Sequence, residues 1–136
     1  RRFLVLSNTH LLNTTKEGRM ANEEITEKFM QELRECGAAY AKAKTERSML
    51  EHYRPVCKAR IMAENSICKK TGKDLPISKQ ERIALTHPNY LQCITELSEK
   101  IGIEAKTKWD LKLCEIRHDR WKTKMYQLNA EKKGYQ

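Results

Sequence analysis

From Ile25 onward, apolar side chains recur at spacings of three, four and seven, or combinations of them: Ile25, Phe29, Leu33, Cys36, Tyr40, Ala43, Leu50, Cys57, Ile61 and Cys68. At about 100° per residue they fall on one stripe, which is the signature of an amphipathic helix. Asn22 suits an N-cap, and Glu23 and Glu24 suit the positive end of a helix. A helix is therefore expected over residues 22–70, about 73 Å long if unbroken. Pro55 has no N–H and crowds the carbonyl four residues back, so a kink or a split is expected there. Gly37, Ala38, Ala39 and Ala41 form a run of small residues that would let another helix approach closely, although Gly37 costs some helicity. Arg47 interrupts the stripe. It reads as a register device that snorkels to solvent or pairs across to a carboxylate such as Glu104 or Glu115.

Thr71-Gly72-Lys73-Asp74-Leu75-Pro76 carries stop and turn signals, with Gly72 in a C-cap role. Ser78 followed by Glu81 matches a capping box and opens a short helix over residues 78–86 that carries Ile83 and Leu85. It ends at Thr86-His87, because the residue before Pro88 avoids helical angles. Pro88 suits the first turn of a last helix over residues 88–133. Leu91, Ile94, Ile101, Ala105, Trp109, Ile116 and Thr123 share one face of that helix, and Gly102 is its weak point. Two long helices joined by a short helical tip pack antiparallel. The expected fold is all-α, a long coiled-coil-like antiparallel hairpin with a short helix at its tip, forming one domain over residues 20–136.

A second apolar row complicates this picture. Ile103, Cys114, Trp121, Met125 and Leu128 cluster within about 60° on the other side of the last helix. A single hairpin cannot bury both rows. Contact with the tip helix or the N-terminal segment is one account, and self-association is the favoured one. Ile103, Trp121, Met125 and Leu128 are then the interface candidates, and a homo-oligomer is expected.

Composition narrows the class. The chain has 136 residues, 33% charged and 39% hydrophobic, with five Gly and three Pro. That is too apolar for disorder and too poor in turn residues for a many-stranded sandwich or barrel. The net charge of +9 favours acidic or polyanionic partners without bearing on the fold. No apolar run approaches the roughly 20 residues of a membrane helix. An odd number of cysteines, with no C-x-x-C pair and no clear secretory signal, points to a reduced, cytoplasmic compartment.

Residues 1–19 stand apart. Lys16-Glu17-Gly18 is what a bacterial ribosome-binding sequence encodes when read in frame just upstream of Met20, so these residues are expected to be a translated leader. The alternatives are a degenerate export signal, whose apolar stretch Phe3–Leu6 is short of the roughly 7–15 residues required, or an ordinary N-terminal strand or disordered arm.

Sites of chemistry are sparse. Cys36 and Cys57 are 21 residues apart, as are Cys93 and Cys114, so each pair repeats a heptad position. Small buried hydrophobes are the plain reading of these cysteines. Cys114 and His118 could form one edge of a metal site, but no second pair supplies the remaining ligands, so no metal is expected. His10, His52, His87 and His118 fit no nucleophile signature, and His87 reads as a turn or N-cap residue. No phosphate loop or catalytic carboxylate pattern appears. A non-enzymatic protein with no cofactor and no small-molecule substrate is expected.

From Lys100 onward there are ten Lys/Arg against five Asp/Glu, with Trp109, Trp121, Tyr126 and Tyr135 interleaved. Cations neutralise phosphates and aromatics stack on unpaired bases, so Lys112, Arg117, Arg120, Lys122 and Lys124 are the nucleic-acid-binding candidates. A solvated helical flank with i,i+4 pairing is the plainer account of the charges, and Trp109 is expected in the core.

Trp109-x-x-Lys112-x-x-Glu115-x-Arg117-x-x-x-Trp121-Lys122-Thr123 resembles a family of short, uncharacterised helical-hairpin proteins from tailed bacteriophages and prophages. So do Glu46-Arg47-x-x-Leu50-Glu51-x-Tyr53-Arg54, Gln80-Glu81-Arg82 and His87-Pro88-x-Tyr90. The resemblance covers residues 40–125, and Pro55 departs from its pattern. Members are often encoded near replication and recombination genes, which implies an accessory role with DNA or with a recombination or replication protein, in the bacterial cytoplasm. A protein-binding or self-associating helical adaptor without nucleic-acid contact is the alternative.

Overall fold

A computed structural model describes residues 16–134 of the chain. Among these described residues three helices follow in order: α1 (Lys16–Glu64), α2 (Ile77–Thr86) and α3 (Pro88–Gly134). The long helices α1 and α3 pack against each other, so the fold is an all-α antiparallel hairpin with a short helix at the tip, as expected from the sequence.

The helix ends differ from the expected ones. Asn22 does not cap α1, which already begins at Lys16. Lys16, Glu17, Arg19, Met20 and Ala21 are good helix formers with only Gly18 against them, and Asn22 lies inside, its carbonyl accepting from the Thr26 hydroxyl at 2.8 Å. The boundary expected at Met20 thus falls within α1 for residues 16–19, while residues 1–15 lie outside the described residues. α1 is not split at Pro55. Pro55 is exposed, so water can reach the Glu51 carbonyl that lacks its usual donor.

α1 ends at Glu64, six residues before the expected end. Asn65 terminates it locally: its side-chain amide donates to the Ile61 carbonyl at 2.9 Å, in competition with the next helical turn. The chain then makes a tight turn. Cys68 N–H donates to Lys73 O, Gly72 N–H to Cys68 O and Leu75 N–H to Ser66 O, each at 2.8 Å. Gly72 sits in that turn with φ of +68°, so its role is the left-handed turn position and not the expected helix cap. Ser78 likewise caps nothing: α2 starts behind Pro76 with no side-chain cap, and Glu81 faces Lys58 at 3.9 Å instead. His87 does act at a helix start, its Nδ1 accepting from Asn89 N–H at 3.1 Å.

The chain divides into two compact units. The tip unit, Tyr40–Thr107, contains α2 and the adjoining parts of α1 and α3. Its core is a cluster of Cys57, Ile61, Ala84 and Tyr90 with Met62 against it, and Ala43 and Cys93 are also buried. Arg47 donates to Glu104 across the hairpin and to Glu51 at 2.7 Å along its own helix. Its reading as a cross-hairpin register residue holds, with Glu104 as the partner. One turn away Lys100 donates to Glu46 at 2.9 Å. That hydrogen bond, reinforced by the opposite charge, holds the Glu46 carboxyl below its ordinary range and the Lys100 ammonium above its own.

In the terminal unit, Arg1–Ala39 with Lys108–Gln136, the described residues are joined by aromatic contacts. Phe29 of α1 stacks on His118 at 5.4 Å and meets Trp121 at 5.5 Å. Cys114 is wholly buried.

The two apolar rows of α3 change places relative to expectation. Leu91, Ile94, Ile101, Trp109 and Ile116, expected on the packed face, are exposed. Cys114, Trp121, Met125 and Leu128, expected on the surplus face, are buried or half-buried. The less exposed positions of α3 run Tyr90, Cys93, Leu97, Lys100, Glu104, Thr107, Leu111, Cys114, His118, Trp121, Met125, Leu128, alternating steps of three and four. That is a heptad seam, and it drifts about 20° per heptad on a straight 100° wheel. Four of its members are polar, which conceals it in the hydropathy pattern. The small-residue run of α1 does not admit a close neighbour either. Ala38, Ala39 and Ala41 are exposed, and a Cβ added at Gly37 would meet nothing within 4 Å.

Candidate nucleic-acid interface

In the terminal unit the seam fixes which side chains flank it. Phe29 occupies the α1 side, its ring lying against His118 and Trp121, whose own rings are 6.3 Å apart and 16° from parallel. His118 is thereby a packing residue. Glu32, one turn after Phe29, accepts from the Cys114 thiol at 3.9 Å and lies 3.6 Å from the Arg117 guanidinium. Beside this aromatic stack lies a groove of about 490 Å³ lined by Ile25, Lys28, Phe29, Glu32, Arg117 and Arg120.

Three cations and one carboxylate therefore surround an apolar floor of Ile25 and Phe29. Arg117 is engaged by Glu32 but remains 62% exposed, so a competing anion can reach it. Exposed pairs of this kind contribute little to stability and yield readily to a stronger anion. Such a groove suits a ligand with negative charge along its edge and a flat or apolar body.

The five cationic candidates do not form one face. Arg117 and Arg120 meet at the groove. Lys124, one turn beyond Arg120, shares their flank of α3 within about 60°. Lys112 stands elsewhere, its ammonium 5.4 Å from the centre of the Trp109 ring, which is itself 61% exposed and not in a core. Lys122 is about 140° round the helix from Arg117. Of the interface candidates, Ile103 is exposed in the tip unit, while Trp121, Met125 and Leu128 are half-buried in the terminal unit. The Trp121 indole N–H is buried without a hydrogen-bond partner.

Lys28 and Glu32 are the groove residues that sequence reasoning missed. A signal was present: equal 21-residue cysteine spacings on both long helices set an antiparallel register in which Phe29 falls opposite Trp121, and Lys28 adjoins Phe29. Among the described residues no group of three or more His, Cys, Asp or Glu is placed to hold a metal ion, and no helix is long and apolar enough to cross a membrane. Comparison with protein families, curated proteins and solved structures gives no match.

Proposed function

We propose that the chain is a non-enzymatic accessory protein that holds nucleic acid through the groove of its terminal unit. The carrying observation is the convergence of Lys28, Arg117 and Arg120 on the apolar floor made by Ile25 and Phe29. Lys28, Arg117, Arg120 and Lys124 contact phosphates, and Ile25 with the Phe29 edge accommodates an unstacked base. The resemblance of residues 40–125 to short helical proteins of tailed phages supports an accessory place beside replication or recombination. The packing of His118 against Phe29 and Trp121 supports a binding role over a catalytic one.

Salt dependence tests this reading. With those four phosphates neutralised on a single strand, log K should fall against log salt with a slope of about −2.8, or about 50-fold weaker binding from 50 to 200 mM salt. A labelled single-stranded oligonucleotide followed by fluorescence anisotropy measures it, and a flat salt profile overturns it.

A second reading, self-association, is favoured by the exposed apolar residues of α3. Leu91, Ile94 and Ile101 are exposed in the tip unit, and Trp109, Leu113 and Ile116 in the terminal unit. On this reading sedimentation finds an oligomer that Ile94→Glu or Trp109→Glu dissociates without unfolding the hairpin. A monomeric native chain removes it.

A further inference from the structure

Four of the five cysteines lie at facing positions of the two long helices, and neither the fold nor the groove requires that they be cysteines. In the terminal unit, the Phe29–Trp121 ring contact at 5.5 Å sets the register. Cys36 lies one heptad inward of Phe29 on α1, and Cys114 one heptad inward of Trp121 on α3, so the antiparallel register brings them opposite each other. The Cys36 thiol is raised chiefly by burial, with the hydrogen-bonded Cys114 thiol beside it adding to the effect. In the tip unit Cys57 and Cys93 are both buried and line one pocket with Tyr53, Asn89 and Gln92. Cys57 also packs with Tyr90, which lies one turn before Cys93. Each pair stays within its own unit, and all five thiols are free in this structure.

We propose that Cys36 with Cys114, and Cys57 with Cys93, are two intrachain disulfide sites that peroxide oxidation closes across the hairpin. In each, one thiolate attacks the peroxide: an S–O bond forms, the O–O bond breaks, and one water leaves. The facing sulfur then attacks the resulting sulfenic acid: the S–S bond forms, the S–O bond breaks, and a second water leaves. Two thiols and one hydrogen peroxide give one disulfide and two waters. A reagent can reach both pairs, through the pocket over Cys57 and Cys93 and through the half-buried Cys36. Each bridge ties α1 to α3 within its own unit, so the two helices resist separation there once oxidised.

Cys68 is the internal competitor. Its thiol is lowered by hydrogen bonds from the Thr71 hydroxyl and from the Thr71 and Lys70 backbone, so it ionises most readily of the three thiols that depart from their ordinary range. The test oxidises the dilute full chain with hydrogen peroxide, alkylates the remaining thiols, and maps cross-linked peptides by mass spectrometry without reduction. A parallel sample is oxidised in urea, where loop length alone decides pairing and short loops such as Cys57–Cys68 are favoured. Under native conditions the Cys36–Cys114 and Cys57–Cys93 peptides should exceed their level in urea by about tenfold or more. Cys93→Ser should abolish the second cross-link and leave the first. Native bridges that chiefly involve Cys68, the same pairing with and without urea, or oxidation to sulfonic acid without bridging would each overturn the proposal.

Discussion

The tip unit and the terminal unit use the same two helices differently. Ala43, Cys57, Ile61, Ala84, Tyr90 and Cys93 are the buried apolar residues of the tip unit, whereas Cys114 alone is so buried among the described residues of the terminal unit. A third helix makes the difference. α2 lays Ala84 over the seam at no exposure, so Ile61 and Tyr90 are enclosed as two helices alone cannot enclose them. The terminal unit relies on the rings of Phe29, His118 and Trp121, which pack well while remaining partly open. Burial fixes the fold in the tip unit, and among the described residues of the other unit the looser covering leaves the groove beside Phe29 open.

The largest contrast should come from truncating each unit's anchor. Ile61→Ala removes a 3% exposed side chain from the tip core and should cost about 3 kcal/mol in urea unfolding. Trp121→Ala should cost less, about 2 kcal/mol, because its surroundings are already part solvent. Trp121→Phe sharpens the point. It keeps a ring against Phe29 and removes the orphan indole N–H, so stability should stay within about 0.5 kcal/mol of the native chain. A loss as large for Trp121→Phe as for Trp121→Ala would show that the indole itself is needed.

The hairpin was legible from residues that carry strong backbone signals. Pro88 opens α3 and His87 caps it, and both follow from local chemistry that tertiary context does not override. The packed face of α3 was not legible, because Lys100, Glu104, Thr107 and His118 occupy seam positions while Leu91, Ile94, Ile101 and Trp109 stand outside. A polar residue at a seam position is satisfied by a partner on the other helix, as Glu104 is by Arg47, and a hydropathy wheel cannot see that partner. For the same reason the groove was half-read. Arg117 and Arg120 stood out as part of a basic run, but Lys28, 89 residues before Arg117, joins them only through the register.

The ion pairs of the tip unit give a smaller effect with a defined pH window. Glu46 is held below its ordinary value by Lys100, so its contribution is present above about pH 4.3 and is lost as pH falls through its lower folded value. Lys100 is raised, so its share persists up to its ordinary value of about 10.4 and disappears only above that. The difference in urea midpoint between the native chain and Glu46→Gln should therefore be visible at neutral pH and shrink as pH falls below the ordinary carboxylate range. A difference unchanged at low pH would mean that the carboxylate charge is not what matters.

The smallest effects come from the glycines on the open helix surfaces. A Cβ added at Gly37 or Gly102 meets nothing within 4 Å, so each Gly→Ala should stabilise its unit by about 1 kcal/mol through helix propensity alone. Gly72→Ala should do the reverse by a similar amount, since φ there is +68°. Thermal unfolding of the three variants measures both signs.

Charge reversal in the two units, read by oligonucleotide binding, tests the division of labour most directly. Arg117→Glu with Arg120→Glu alters the groove, and Lys69→Glu with Lys70→Glu makes the same charge change on the exposed turn of the tip unit. Because net charge falls equally, the comparison separates a built site from a diffuse field. The groove pair should weaken binding of a single-stranded oligonucleotide by about tenfold or more at low salt, and the turn pair by no more than about twofold. Equal losses from both pairs, or no binding by the native chain at low salt, would contradict the proposed nucleic-acid contact of the terminal unit.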